Sequence, residues 1–456
     1  MSTPRLRVPA CVRGLSRKMS TLPNDLLTRS ALRVYTVSLV GETLQAYALR
    51  GMPLPWIGQC VTIGFAALLL LEARFVRVPG LGALALLLAW GTVVTLANAV
   101  GGDYAPLMPF QATTPYPVFI ALRLVSLTAV AAQIYLVFWL LSRGCLPAVI
   151  KRTMVVAVAV VGLALYVYAA QLYGLPVPAK TRLGTDGSQQ VATQFTYAFH
   201  RAVGTFQEPG DLASWLVLPF FLSFFGRGRV LSVHAGLIGS ALFLTGSLAA
   251  MVGSMAGLVV AIVLIWPFRH VSLARVVQAS LAIGIAAVVF NLVAVANEGG
   301  STNLLGVLAD RLQPILNEGI EASNRDYIYE YVSNTPFPLV GVGFGNSNLL
   351  LTLAFGSIVT VSFLSVYFAV LYSTGYIGLA LLVLFLLVPL KGVLTCRMTQ
   401  HLTHPAGLVA LTTVFVAYLL MMGFRAEEIP MSFGTIYGML AFVGQRHETA
   451  LQAMET

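Results

Sequence analysis

In the stretch HRAVGTFQEPGDLASWL, residues 200–216, charged side chains stand at the mouth of an apolar helix. His200 and Arg201 open it, Glu208 and Asp211 follow, and the chain runs on into VLPFFLSFF. Gly204, Pro209 and Gly210 let the backbone turn before the helix begins. Proline suits that first turn, where a missing N–H costs nothing. Unpaired N–H groups at a helix start favour an anion, so Arg201 with His200 beside it makes a phosphate site. Snorkelling to lipid phosphates is the plain alternative for such an arginine. Glu208 lies seven positions from Arg201 on the same loop and is placed to take a proton from an attacking hydroxyl. Its plain alternative is a helix-start carboxylate, stabilising the dipole by ~0.3–1 kcal/mol. Asp211 falls inside the helix and points elsewhere, which leaves Glu321 and Asp326 as rival bases.

Two further arginines carry chemistry of the same kind. Arg325 opens RDYIYEYVSNTPFPLVGVGFGN, where Tyr327, Ile328, Tyr331 and Val332 have the spacing of a one-sided apolar helix. A surface ion pair with Asp326 or Glu330 is its alternative role. The GVGFGN run is glycine-rich but lacks the lysine of a phosphate-binding loop. Arg123 lies inside YPVFIALRLVSLTAVAAQIYLVF. An arginine at mid-membrane costs ~2.5–3.5 kcal/mol or more, so it requires a polar cavity or a partner. Glu42 and Gln45, three positions apart, are the candidate partners. Gly253 and Gly257 in GSMAG mark a close helix crossing.

The elements that position these groups are membrane helices. Of 456 residues, 58% are hydrophobic and only 10% charged, against about 25% charged in soluble domains. The net charge of +10 follows the distribution of cytoplasmic loops and not a nucleic-acid surface. Apolar runs at roughly 30–49, 55–71, 79–100, 116–142, 153–172, 209–226, 231–249, 254–268, 275–296, 362–390, 404–422 and 430–444 predict about twelve spans. Arg74, Arg77, Arg143, Lys151, Arg152, Arg227, Arg229, Arg269, Lys391 and Arg397 all fall in gaps on one side. The positive-inside rule makes that side cytoplasmic, with a tail at 1–29 and another at 445–456. Met19 is an alternative start to Met1. Loops at about 173–208 and 297–361 then lie outside, the second with an amphipathic helix through Leu304, Leu305, Leu308, Leu312 and Ile315. The four cysteines are far apart and read as free thiols. No DxD, HExxH, GxSxG or Walker pattern occurs, so the inventory permits a metal-independent reaction using carboxylates and arginines, with no cofactor.

RAVGTFQEPGDLASWL, RDYIYEYVSNTPFPLVGVGFGN and LYSTGYIGLALLVLF, in that order and spacing, resemble the O-antigen polymerase and ligase superfamily over about 200–385. Ligases of that family carry a His–Asn pair about ten residues before the TGYIG element; Leu364 and Ser365 stand there, which favours the polymerase branch. The resemblance implies an all-α C-type glycosyltransferase fold in the bacterial inner membrane, acting on the periplasmic face. It implies an inverting transfer between undecaprenyl-pyrophosphate-linked oligosaccharides, with a chain-length regulator as a possible partner. Arg201, Arg325, Arg123 and His200 would hold the diphosphate, and Glu208 with Arg201 and Arg325 would catalyse. A ligase using a lipid A core acceptor, or a polysaccharide-lipid flippase, are the alternatives; the missing histidine opposes the first and the dissimilar halves the second.

Overall fold

The computed structural model describes residues 26–49, 52–72, 76–101, 104–109, 114–182, 201–223, 229–265, 326–358, 360–398, 405–424 and 428–455. The expected span at 275–296, the amphipathic segment around Leu304–Ile315, His200, Glu321 and Arg325 lie outside these residues.

Among the described residues the chain is helical, apart from a two-stranded hairpin of β1 (Ala48–Leu49) and β2 (Met52–Pro53) and one short 3-10 turn. The helices are α1 (Leu26–Thr43), α2 (Leu54–Glu72), α3 (Leu81–Val100), α4 (Tyr116–Ser142), α5 (Leu146–Tyr173), α6 (Pro209–Leu222) and α7 (Arg229–Leu244). They continue as α8 (Leu248–Ile265), α9 (Asp326–Asn334), α10 (Asn346–Ala354), α11 (Val366–Met398), α12 (Pro405–Phe424) and α13 (Met431–Glu455). Five of them, α2 to α5 and α11, are long and apolar enough to cross a membrane. Shorter apolar helices occupy 209–222, 233–244, 248–264 and 407–423. Leu68, Leu71, Leu86, Val93, Met255, Val263 and Leu387 are exposed on these helices. Such a surface suits lipid as solvent, where helices satisfy every backbone group internally.

α4 is the most enclosed of the long helices, with Ala129, Val130 and Ala132–Leu141 buried against α2 and α13. Close crossings let the helices meet. A Cβ on Gly257 of α8 would collide with the Thr413 carbonyl of α12, and one on Gly253 would lie 3.2 Å from the Ala417 carbonyl. The GSMAG element is therefore a packing contact, as its spacing predicts. A polar seam runs up α1, whose Tyr35, Ser38 and Glu42 share one face. Tyr35 Oη and Thr153 Oγ1 are 2.7 Å apart, Ser38 donates to Gln133 Oε1 at 2.9 Å, and Gln133 Nε2 donates to Thr435 at 3.0 Å.

α11 is broken at Gly375, with φ 69° and ψ −168°. A break in a membrane helix frees carbonyls that must be met within the protein. The glycine-rich run supplies the partners. Val342 N–H donates to Tyr372 O at 3.1 Å, Gly343 N–H to Ser373 O at 2.7 Å, and the Trp90 indole to Thr374 O at 2.9 Å. GVGFGN is thus a backbone splint for the break. α9 has the amphipathic character its spacing predicts: Ile328 is buried and Tyr331 meets Phe355, Phe363 and Tyr372.

Candidate functional site

At one end of the bundle four loops join. Ala46 N–H donates to Thr205 O at 3.1 Å, and Ala202 N–H to Leu244 O at 2.9 Å. An extended strap, residues 175–182, follows the left-handed Gly174 that ends α5. Its Thr181 and Arg182 amides both donate to Ala46 O at 3.2 Å, and Thr181 Oγ1 bonds both backbone groups of Ala48.

These loops hold a ring of charge. Arg201 donates Nε–H to Thr245 O at 2.7 Å, anchoring its guanidinium beyond the C-terminus of α7. Gly204, with φ 57°, makes the turn that follows, and a Cβ there would lie 3.0 Å from the Ala164 Cβ. α6 then starts at Pro209, as the sequence predicts. Glu208 is its exposed N-cap and makes no side-chain capping bond. Asp211 lies in the first turn of α6. Arg123, about 10 Å into α4, is 2.7 Å from Glu428 and rests over the Phe119 ring at 5.3 Å. The candidate partner Glu42 is occupied elsewhere, because its Oε1 accepts from both the amide (3.0 Å) and the hydroxyl (2.9 Å) of Ser432. The Arg123–Glu428 side chains are 21% and 45% exposed. A pair so wet contributes about 0–1 kcal/mol, too little to account alone for an arginine at this depth.

Two cations on the strap are absent from the sequence candidates. Arg182 donates Nη1–H to Gln45 O at 3.2 Å, and the charges of Glu428 and Asp211 act on it. Burial pulls its pKa down and those two carboxylates pull it back up. Lys180 reaches Phe206 O at 3.4 Å, and burial pushes its amine down to about 8. A signal for both was available: PAKTR puts two cations on the side that is otherwise poor in them.

The structure therefore joins Arg123, Glu428, Arg182 and Asp211, with Lys180, Arg201 and Glu208 on the same rim. Cations in such a ring can stabilise charge developing on a leaving diphosphate, and carboxylates can take up a proton. Compared with known proteins, the chain matches no family model and no curated protein.

Proposed function

We propose that the protein is a polymerase of lipid-linked oligosaccharides, an inverting glycosyltransferase of the membrane. The observation that carries this reading is the convergence of Arg123, Lys180, Arg182 and Arg201 at one end of an apolar bundle, interleaved with Glu428 and Asp211. A lipid diphosphate combines the two properties such a place selects: a tail that dissolves in the bilayer and phosphate oxygens that arginine forks bind bidentately. The resemblance of 200–385 to the polymerase and ligase superfamily points the same way. Donor and acceptor are then undecaprenyl-pyrophosphate glycans, joined at the periplasmic face to build O-antigen, capsule or exopolysaccharide.

The test is the purified protein in lipid nanodiscs with a defined lipid-linked repeat unit. A ladder of joined units is expected, and none from Arg201→Ala at equal protein level. Arg201→Lys restores little, because the compact ammonium lacks the planar fork that lets a guanidinium stay on Thr245 O through Nε and still meet phosphate bidentately. In a deletion strain, single repeat units remain on the final acceptor. A strain with no units on the acceptor would support a ligase, and lipid-linked units trapped in the cytoplasm a flippase; either would overturn the proposal.

A further inference from the structure

A second cationic place lies between α1 and α5, away from the charge ring. Both helices end at the rim, α1 just before residues 44–48 and α5 just before the strap, so the two run parallel. Tyr35 and Thr153 tie them together at 2.7 Å. Beside that tie Arg152 donates Nη1–H to Thr36 Oγ1 at 2.8 Å, and Thr36 donates its own hydroxyl to Leu32 O at 2.9 Å. One residue turns a helix by about 100°. Thr36 therefore stands to one rotational side of Tyr35, and Arg152 to the opposite side of Thr153. In parallel neighbours those opposite rotations open onto one face of the pair. On that face Arg33, Val37 and Val40 of α1 are exposed, and so are Val155 and Ala159 of α5.

Arg33 precedes Thr36 by three residues, so its root is within ~5 Å along the axis of the hydroxyl that holds Arg152. It is also ~15 Å of helix from Thr43, where α1 reaches the rim. Helical side chains lean toward the N-terminus, which carries both arginines toward the end of the bundle opposite the rim. Neither arginine forms an ion pair with any described residue. Two neighbouring guanidiniums repel, and an anion between them removes that cost. Arg152 commits only Nη1 to Thr36, which leaves the rest of its fork for phosphate oxygens. Beyond the arginines the valines offer apolar surface, which an acyl chain covers better than water does.

We propose that this seam holds an anionic phospholipid, its headgroup phosphate bridged by Arg33 and Arg152 and an acyl chain lying along Val37, Val40 and Val155. The site is independent of the reaction at the rim. It differs from ordinary snorkelling, in which each arginine meets bulk headgroups on its own, because two helices contribute and Thr36 fixes one of the two forks.

Dioleoyl phosphatidylglycerol titrated into the detergent-purified protein is expected to raise the unfolding midpoint in a saturable way. Dioleoyl phosphatidylcholine, with the same chains and no net charge, should raise it less. Glycerol 3-phosphate, a phosphate without chains, should not raise it. Arg33→Gln and Arg152→Gln are each expected to weaken the apparent affinity for the anionic lipid about tenfold, the loss of one charge-assisted contact. Each variant is read against its own midpoint in phosphatidylcholine, so that losing the Thr36 bond cancels. Should Arg152→Gln not fold, Arg33→Gln decides alone. Arg143→Gln removes an exposed cation of the same bundle end, one that rests over Trp139, and should keep wild-type affinity. Equal midpoints in the two lipids overturn the proposal, as does full lipid response in Arg33→Gln. An equal loss in Arg143→Gln would mean general surface charge and no site, and a shift with glycerol 3-phosphate matching that of the lipid would remove the lipid as occupant.

Discussion

Lys180 is a rim residue whose charge depends on pH. It is held in the strap against Phe206 O, and burial brings its pKa from 10.5 to about 8. Below about 8 the amine is charged and would add to the proposed anion site; above it that contribution is lost. Binding of inorganic pyrophosphate to the purified protein should therefore weaken between pH 7 and 9 more in wild type than in Lys180→Met. The ligand's own ionisation cancels in that comparison. The sign for stability is opposite. The unfolded lysine holds its proton up to about 10.5, so folding is penalised below about 8 and the penalty fades as pH rises between the two values. Equal pH dependence in both proteins would remove Lys180 from the site. The sequence exposed Arg201 because its neighbours Gly204 and Pro209 announce a turn and a helix start. It hid Lys180, Arg182 and Glu428 because their meeting depends on which loops share an end of the bundle. The partner of Arg123 was missed for the same reason: Glu42 lies on a facing helix, but Ser432 occupies it.

At the scale of elements, hydropathy found the long apolar helices among the described residues, left α9 and α10 inside an expected loop, and misplaced several helix ends. The expected 116–142 is α4 to the residue. α5 starts at Leu146 and not at 153, since Lys151 and Arg152, read as loop cations, are helical. α13 likewise continues through the stretch expected as a C-terminal tail. Hydropathy reports what partitions into lipid, whereas a helix ends only where its hydrogen bonds end. α1 stops at Thr43 inside the run expected to 49, where the chain turns into the β1–β2 hairpin. The break in α11 falls inside the single span expected at 362–390, because hydropathy does not register the φ of Gly375, although the TGYIG element resembles a helix entry. It yields a prediction about Gly375. An alanine there would be strained at φ 69° and its Cβ would strike the Leu339 carbonyl. Gly375→Ala should destabilise by at least ~1–3 kcal/mol, with loss of the splint bonds from Val342 and Gly343. Gly64→Ala in α2, where a Cβ meets nothing within 4 Å, is the comparison and should be neutral or slightly stabilising. Thermal unfolding in detergent reads both, and equal midpoints would mean that the break is not required.

For the whole molecule the decisive quantity is which end faces out. The rim formed by residues 44–48, 180–182, 201–206 and 244–245 is one end of the bundle. The Arg143–Gly144 turn between α4 and α5 is the other. That second end carries Arg77, Arg143, Lys151 and Arg152, so the proposed function, with the positive-inside rule, expects it to face the cytoplasm. Lys180 and Arg182 on the strap run against that expectation, and the anion-binding role proposed for this rim would account for the exception. The proposed reaction requires this orientation, because a lipid-linked unit that has been flipped is available only outside. Ala179 and Arg143 are both exposed and mark the two ends. In a background lacking Cys11, Cys60, Cys145 and Cys396, Ala179→Cys should react with an impermeant maleimide in intact spheroplasts. Arg143→Cys should react only after permeabilisation. The reverse pattern would turn the charge ring toward the cytoplasm, where activated nucleotide sugars and unflipped lipids are found, and the polymerase reading would fall with the orientation.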